Sequence, residues 1–132
     1  IMMYEWLLDY QKLKQEIEYL EYKLEREKRE LRRWVYGDLQ DVKLHKDSIS
    51  AKIEERIAAL EYELAHKMND LYDAEKLISK FKGLENKILY FKYVEGLLLE
   101  EIAEKLNYSP SYIYKKHAEI MRMIKFADSL SI

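Results

Sequence analysis

The sequence predicts an all-α protein: a long helical hairpin or coiled-coil stem over residues 1 to 83, then a helix-turn-helix over residues 84 to 132. Three observations predict it. Only three Gly and one Pro occur among 132 residues, so helix formers dominate and turn formers are scarce. Apolar residues recur in alternate steps of three and four from Met3 to Phe81, the spacing of a heptad seam. Beyond Gly83 the period restarts in short units separated by turn residues.

The first seam holds Met3, Trp6, Tyr10, Leu13, Ile17, Leu20, Leu24, Glu27, Leu31 and Trp34, nine of ten apolar. It predicts one helix over about residues 3 to 36. A lone helix with a single apolar stripe is marginal in water, so this one must pack on another. Gly37-Asp38 ends it, Gly being the usual residue just past a helix C-terminus. Residues 37 to 50 then read as a polar connector with Asp38, Asp41, Asp47 and Ser48, and Ser50 reads as the N-cap of the next helix.

The second helix, about 51 to 81, carries Ile53, Ile57, Leu60, Leu64, Lys67, Leu71, Ala74, Ile78 and Phe81, eight of nine apolar. Lys67 either snorkels outward, the expected outcome, or fixes the register of the seam. The stripes serve an antiparallel hairpin or a coiled coil between chains equally well. The residues expected to carry oligomerisation are Trp6, Leu13, Ile17, Leu20, Leu24 and Leu31 on the first helix, with Ile57, Leu60 and Leu64 on the second. Tyr4, Tyr10, Tyr19, Tyr22, Tyr36, Tyr62 and Tyr72 sit on or beside these stripes, where an amphipathic ring suits a half-buried boundary or a partner interface.

After Phe81-Lys82-Gly83, residues 84 to 94 present Leu84, Ile88, Leu89, Phe91 and Tyr93 or Val94 on one face, and Glu95-Gly96 turns the chain. Residues 98 to 106 present Leu99, Ile102, Ala103 and Leu106, and Asn107-Tyr108 turns it again. Ser109 caps a last helix whose first position is Pro110, where the missing N–H costs nothing. That helix runs to about residue 127 with Ile113, Ile120, Met121 and Ile124 inward. Two helices joined by three or four residues, the first with a small Ala103 at the crossing, make a helix-turn-helix pattern.

The stretch LENKILYFKYVEGLLLEEIAEKLNYSPSYIYKKHAEIMRMI resembles region 4 of bacterial sigma factors. It resembles more closely the sigma-like C-terminal segment of small phage and prophage late-transcription regulators of the ArpU and RinA type. The matching positions are Tyr93-Val94-Glu95-Gly96, Glu100 through Leu106, and Ser109 leading into Ile113-Tyr114, within about residues 77 to 125. Relatives tend to have Thr or Ser where this chain has Leu98, and an apolar residue where it has Lys116. The resemblance implies that the second motif helix enters the major groove of double-stranded DNA. On this reading Ser111 and Lys115, four apart on one face, touch bases, and Tyr112 and Tyr114 contact phosphates or thymine methyls. Arg122 and Lys125 clamp the backbone, and Ser109 and Lys116, or His117 in place of Lys116, complete the outward-facing DNA-binding set. It also implies a transcription regulator working with host RNA polymerase in a bacterial cytoplasm, as a homo-oligomer whose recognition helices meet successive half-sites.

The charge distribution tempers this. A net charge of −2 argues against coating nucleic acid through bulk charge. Yet within residues 110 to 125, Lys115, Lys116, Arg122 and Lys125 face only Glu119, the one locally positive element. Two other readings use the same helices: a small terminase subunit that recognises a packaging site, and an adaptor that binds RNA polymerase without touching DNA.

Enzymatic chemistry is not expected, and neither a cofactor nor a metal is. Glu100, Glu101 and Glu104 form an EExxE pattern like those that hold magnesium in helical pyrophosphatases. Their counterparts Asp70 and Asp73 lie among the heptads, so a solvated helix face is the expected role. His45, His66 and His117 lack metal-ligand spacing, and no phosphate loop or nucleophile elbow occurs. Zero Cys excludes disulfides and suits a reducing cytoplasm. No 18-residue apolar run offers a membrane span. The leading Ile-Met-Met lacks the order of a signal peptide, and Ile1 is expected to be a remnant ahead of the true start.

Overall fold

A computed structural model describes residues 3 to 42 and 46 to 130. The protein is all-α, with about 85% of the described residues helical and no strand among them. Six α-helices follow one another: α1 (Met3–Leu8), α2 (Tyr10–Val35), α3 (Lys46–Lys80), α4 (Gly83–Leu89), α5 (Leu99–Leu106) and α6 (Pro110–Ser129). A π-helical turn, Tyr90–Val94, extends α4.

Several boundaries differ from the sequence expectation. The first long helix has a turn at Asp9, although the i to i+4 bonds Asp9 N–H to Glu5 C=O (3.0 Å) and Leu13 N–H to Asp9 C=O (2.7 Å) run through it. α2 ends at Val35, two residues before Gly37, and Gly37 is not left-handed: it fits there because a Cβ would lie 2.9 Å from the Cα of Arg33. Ser50 is not an N-cap. α3 begins a turn earlier, at Lys46, because residues 46 to 50 contain no Gly or Pro and Ile49 extends the stripe of Ile53. The Ser50 hydroxyl is buried without a hydrogen-bond partner among the described residues. The expected connector shortens accordingly, and its residues 43 to 45, His45 included, lie outside the described residues.

The chain divides into two compact units, Gln15–Asn69 and the pair of segments Ile1–Lys14 and Asp70–Ile132. The expected boundary at residue 83 is therefore displaced, because α1 packs on α6 and α3's last turns join the same core.

In the Gln15–Asn69 unit, α2 and α3 are joined by two ion pairs. Glu16 pairs with Lys67, and the Arg56 guanidinium forks onto Glu27, with Nε to Oε1 at 3.2 Å and Nη2 to Oε2 at 3.1 Å. As the α2 partner rises from 16 to 27 the α3 partner falls from 67 to 56, which is antiparallel pairing. These partners include the two polar members of the seams, Glu27 and Lys67. Lys67 does not simply snorkel outward: it crosses to the neighbouring helix. Ile17 and Ile53 are buried in this unit, whereas Leu20, Leu24, Leu31, Ile57, Leu60 and Leu64 remain half-buried.

The other unit has a continuous apolar core. Leu7, Ile88, Leu89, Ile102, Ala103, Ile113 and Ile120 are all 1% exposed or less. Burying each of the larger aliphatic chains stabilises the fold by about 1.5–3 kcal/mol. Leu13 is buried in the same unit and Trp6 is half-buried there, so Leu13 is held by its own chain. Between Tyr93 and Val94 the structure selects Tyr93 as the inward residue. The π-turn explains the spacing, since i to i+5 bonding keeps Ile88 and Tyr93, five apart, on one face.

Candidate nucleic-acid interface

α5 and α6 are joined by Asn107, Tyr108 and Ser109, and each end of this turn has its own chemistry. Asn107 adopts φ 60°, the left-handed region that Asn tolerates better than most residues. Its N–H bonds to Glu104 C=O at 3.3 Å and that of Tyr108 to Ala103 C=O at 2.9 Å, the paired bonds of a Schellman terminus. Ser109 then caps α6, its Oγ accepting the Tyr112 N–H at 3.2 Å, with Pro110 in the first helical position. At the start of α5, Leu98 has no side chain to offer as a cap. The Glu101 carboxylate instead accepts the Leu98 N–H at 3.0 Å.

Buried contacts set how α6 lies on α5. Ile113 and Ile120 face inward against Ile102 and Ala103 in one cluster. A longer side chain at Ala103, which is 1% exposed, would force the helices apart at about 1–3 kcal/mol. With Ile113 inward, Ser111, Tyr112, Tyr114 and Lys115 are all exposed on the first two turns of α6.

The expected DNA-binding residues are thus brought together in part. Ser109 and Ser111 hydroxyls lie 3.5 Å apart. The Lys116 ammonium stands 3.9 Å from Glu119 and 5.8 Å from the centre of the Tyr112 ring, its stem half-buried. Arg122 is exposed two turns further on, and Lys125 reaches over the ring of Tyr4 at 5.4 Å. Residues 122 and 125 therefore lie toward the far end of α6 from Ser111.

One neighbour escaped the sequence reading. Tyr108 stacks on Tyr112, with ring centroids 5.2 Å apart and planes at 21°, which fixes the Tyr112 ring beside the turn. Tyr108 lies outside the helix, so helical spacing gives no signal for this pair. His117, expected as an alternative to Lys116 on the outward face, instead lies behind that face, because its Nε2 is 2.7 Å from the hydroxyl of the buried Tyr93. Burial lowers the pKa of this imidazole, with the Lys92 charge adding to the effect. Burial also pushes the Tyr93 phenol up to about 12.

Glu100, Glu101 and Glu104 are exposed on α5. Among the described residues no group of three or more His, Asp or Glu side chains converges on a possible metal position. Among the described residues no helix is long and apolar enough to cross a membrane.

No known protein family, curated protein or solved structure matches this chain.

Proposed function

We propose that this protein is a sequence-specific DNA-binding regulator of transcription, in which α5 and α6 act as a helix-turn-helix and the first two turns of α6 enter the major groove. One observation carries the reading. The Ser109-capped end of α6 presents Ser111, Tyr112, Tyr114 and Lys115 together to solvent while Ile113 anchors the same turns in the core. Base edges are read by Lys and hydroxyl groups, and phosphates are held by Lys, Arg, Ser and Tyr. Lys115 and Ser111 supply the first kind of contact. Tyr112 and Tyr114 reach thymine methyls or phosphates, and Lys116 and Arg122 supply the second kind.

The sigma-like resemblance of residues 77 to 125 gives the reading its biological form: a phage or prophage late-gene activator acting with host RNA polymerase in the cytoplasm of a bacterium. The half-buried seams of the Gln15–Asn69 unit support a homo-oligomer, because Leu24, Leu31, Ile57 and Leu60 gain burial only against another surface. Association matters for the task. With four cations on α6, one copy has a salt slope of only about −3 to −4, and two copies on successive half-sites double it.

Fluorescence anisotropy with DNA fragments tiling the native replicon, at several salt concentrations, tests the proposal. One fragment bound well above the rest, with affinity falling steeply as salt rises, supports a DNA reader. Uniformly weak binding to every fragment refutes it.

A further inference from the structure

The last two turns of α6 and its C-cap Leu130 carry an apolar stripe that the described residues leave uncovered. Met123, Phe126 and Leu130 are 59%, 66% and 67% exposed, with Ala127 exposed among them. Steps of three and four put these residues on one face. The stripe borders an open trough of about 560 Å³ whose apolar lining includes Met3, Leu77, Phe81 and Met123. Past Met3 and Leu77 lies a second hollow of about 200 Å³ beside Trp6. All these residues belong to one compact unit. A row of large exposed apolar side chains leading into a trough is the surface that an amphipathic helix covers, and methionines give it an adaptable floor.

The charge around this surface selects the occupant. Lys80, Lys82 and Glu85 line the trough, Lys76 and Asp73 the hollow, and Arg122 and Lys125 stand beside the stripe on α6. With Glu119, four residues before Met123 and 3.9 Å from Lys116, five cations thus meet three carboxylates in a chain whose net charge is −2. Lys76, Lys80 and Arg122 form no ion pair among the described residues. Two-fold pairing of this face with a second copy would oppose one positive rim to another, so self-docking is disfavoured.

We propose that this face docks an amphipathic helix with acidic flanks from another protein, its apolar side chains in the trough and its carboxylates toward Lys76, Lys80 and Arg122. The inference does not rest on the DNA reading. Ser111 and Met123 are about 18 Å apart along α6 at 1.5 Å per residue, and Arg122 and Lys125, which border both surfaces, are left unchanged in the test.

Two labelled synthetic peptides of about 20 residues, long enough to hold helix, provide the test. Both carry one Leu stripe at helical spacing, flanked by Glu in one and by Lys in the other, and each is titrated with the full chain by fluorescence anisotropy. The Glu peptide is expected to bind about tenfold more tightly or better than its Lys twin, with the preference shrinking as salt rises. Met123→Glu and Phe126→Glu, both at exposed positions, are expected to weaken it about tenfold with circular dichroism unchanged. Lys76→Glu with Lys80→Glu is expected to reverse the preference. Equal binding of the two peptides, or full binding by Met123→Glu, overturns the proposal. So does sedimentation in which Met123→Glu dissociates an oligomer of the protein itself, which would make this face an interface between copies.

Discussion

The carboxylate of Asp128 accepts the backbone N–H of Met3 at 3.0 Å, and its second oxygen accepts that of Tyr4 at 3.2 Å. N–H groups in the first turn of a helix have no partner within it. A carboxylate at that end satisfies two of them and meets the positive end of the helix dipole. Asp128 is only 4% exposed, so the first helix of the chain is tied to the last by a buried cap. Asp128→Ala leaves both donors without an acceptor and should lower stability by about 1–3 kcal/mol. Asp128→Asn keeps one acceptor oxygen and should lose less. Urea unfolding reads both as shifts in midpoint at constant slope. An unshifted midpoint for Asp128→Ala would show that the cap contributes nothing.

The opposite experiment applies at Leu98. This position has the extended backbone of an N-cap, φ −73° and ψ 153°, and its side chain is 61% exposed. The reciprocal half of a capping box is already in place, since Glu101 accepts the Leu98 N–H. Leu98→Ser or Leu98→Thr adds the missing acceptor for the third residue of α5 and should raise stability by about 0.5–2 kcal/mol. A lower unfolding midpoint in both variants would mean that Leu98 packs more usefully than its exposure suggests.

Local chemistry was legible in the sequence where residues act on their own neighbours. The heptad stripes of α2 and α3, the Ser109-Pro110 start of α6, the Asn107 turn and Ala103 at the crossing are all short-range patterns. What escaped depends on partners distant in the chain. Nothing near Asp128 marks it as the cap of a helix more than a hundred residues earlier, and α1 therefore reads as the start of the stem. Glu27 and Lys67 look like flaws in their seams until Arg56 and Glu16 are seen opposite them. The π-turn at Tyr90–Val94 also hides from a periodicity argument, because one extra residue per turn matches neither a helical nor an alternating pattern. At the candidate interface the exposed face of α6 follows from Ile113 and Ile120 alone, whereas the Tyr108 and Tyr112 stack needs the turn geometry.

Titration of Tyr93, Tyr10 and His117 should limit stability at both ends of the pH scale. Burial raises the Tyr93 phenol to about 12. Burial, the hydrogen bond to Glu75 and the charge of that carboxylate raise Tyr10 to about 12. Both phenols lie near pH 10 in the unfolded chain. The folded state therefore holds more protons in the interval: stability is full below about pH 10 and is lost as pH rises toward about 12. His117 has the reverse sign. Burial lowers its pKa, so the folded state holds fewer protons, and stability is full above about pH 6.5 and declines as pH falls below it. Tyr93→Phe should flatten the alkaline limb and His117→Gln the acid limb of a plot of urea midpoint against pH. Limbs as steep in the variants as in the parent would place the linked protons on other groups.

The DNA proposal separates two kinds of interaction along α6, and its variants should behave differently. Lys115 and Tyr114 are exposed on the turns that would meet base edges, so the double variant Lys115→Ala with Tyr114→Ala should cost about 1–3 kcal/mol for each base edge it no longer reaches. That cost should appear on the preferred fragment and not on random DNA, reducing specificity about tenfold or more. Arg122, further along the helix, would meet only phosphate. Arg122→Ala should weaken binding to every sequence alike and lower the salt slope by about one unit. All three side chains are exposed, so unfolding midpoints should stay within about 0.5 kcal/mol of the parent, which separates a defect in recognition from a defect in folding. If the double variant kept the parent's preference for one fragment, the first turns of α6 would not be the reading surface. Equal losses from both sets on all sequences would instead describe a protein held by phosphates alone.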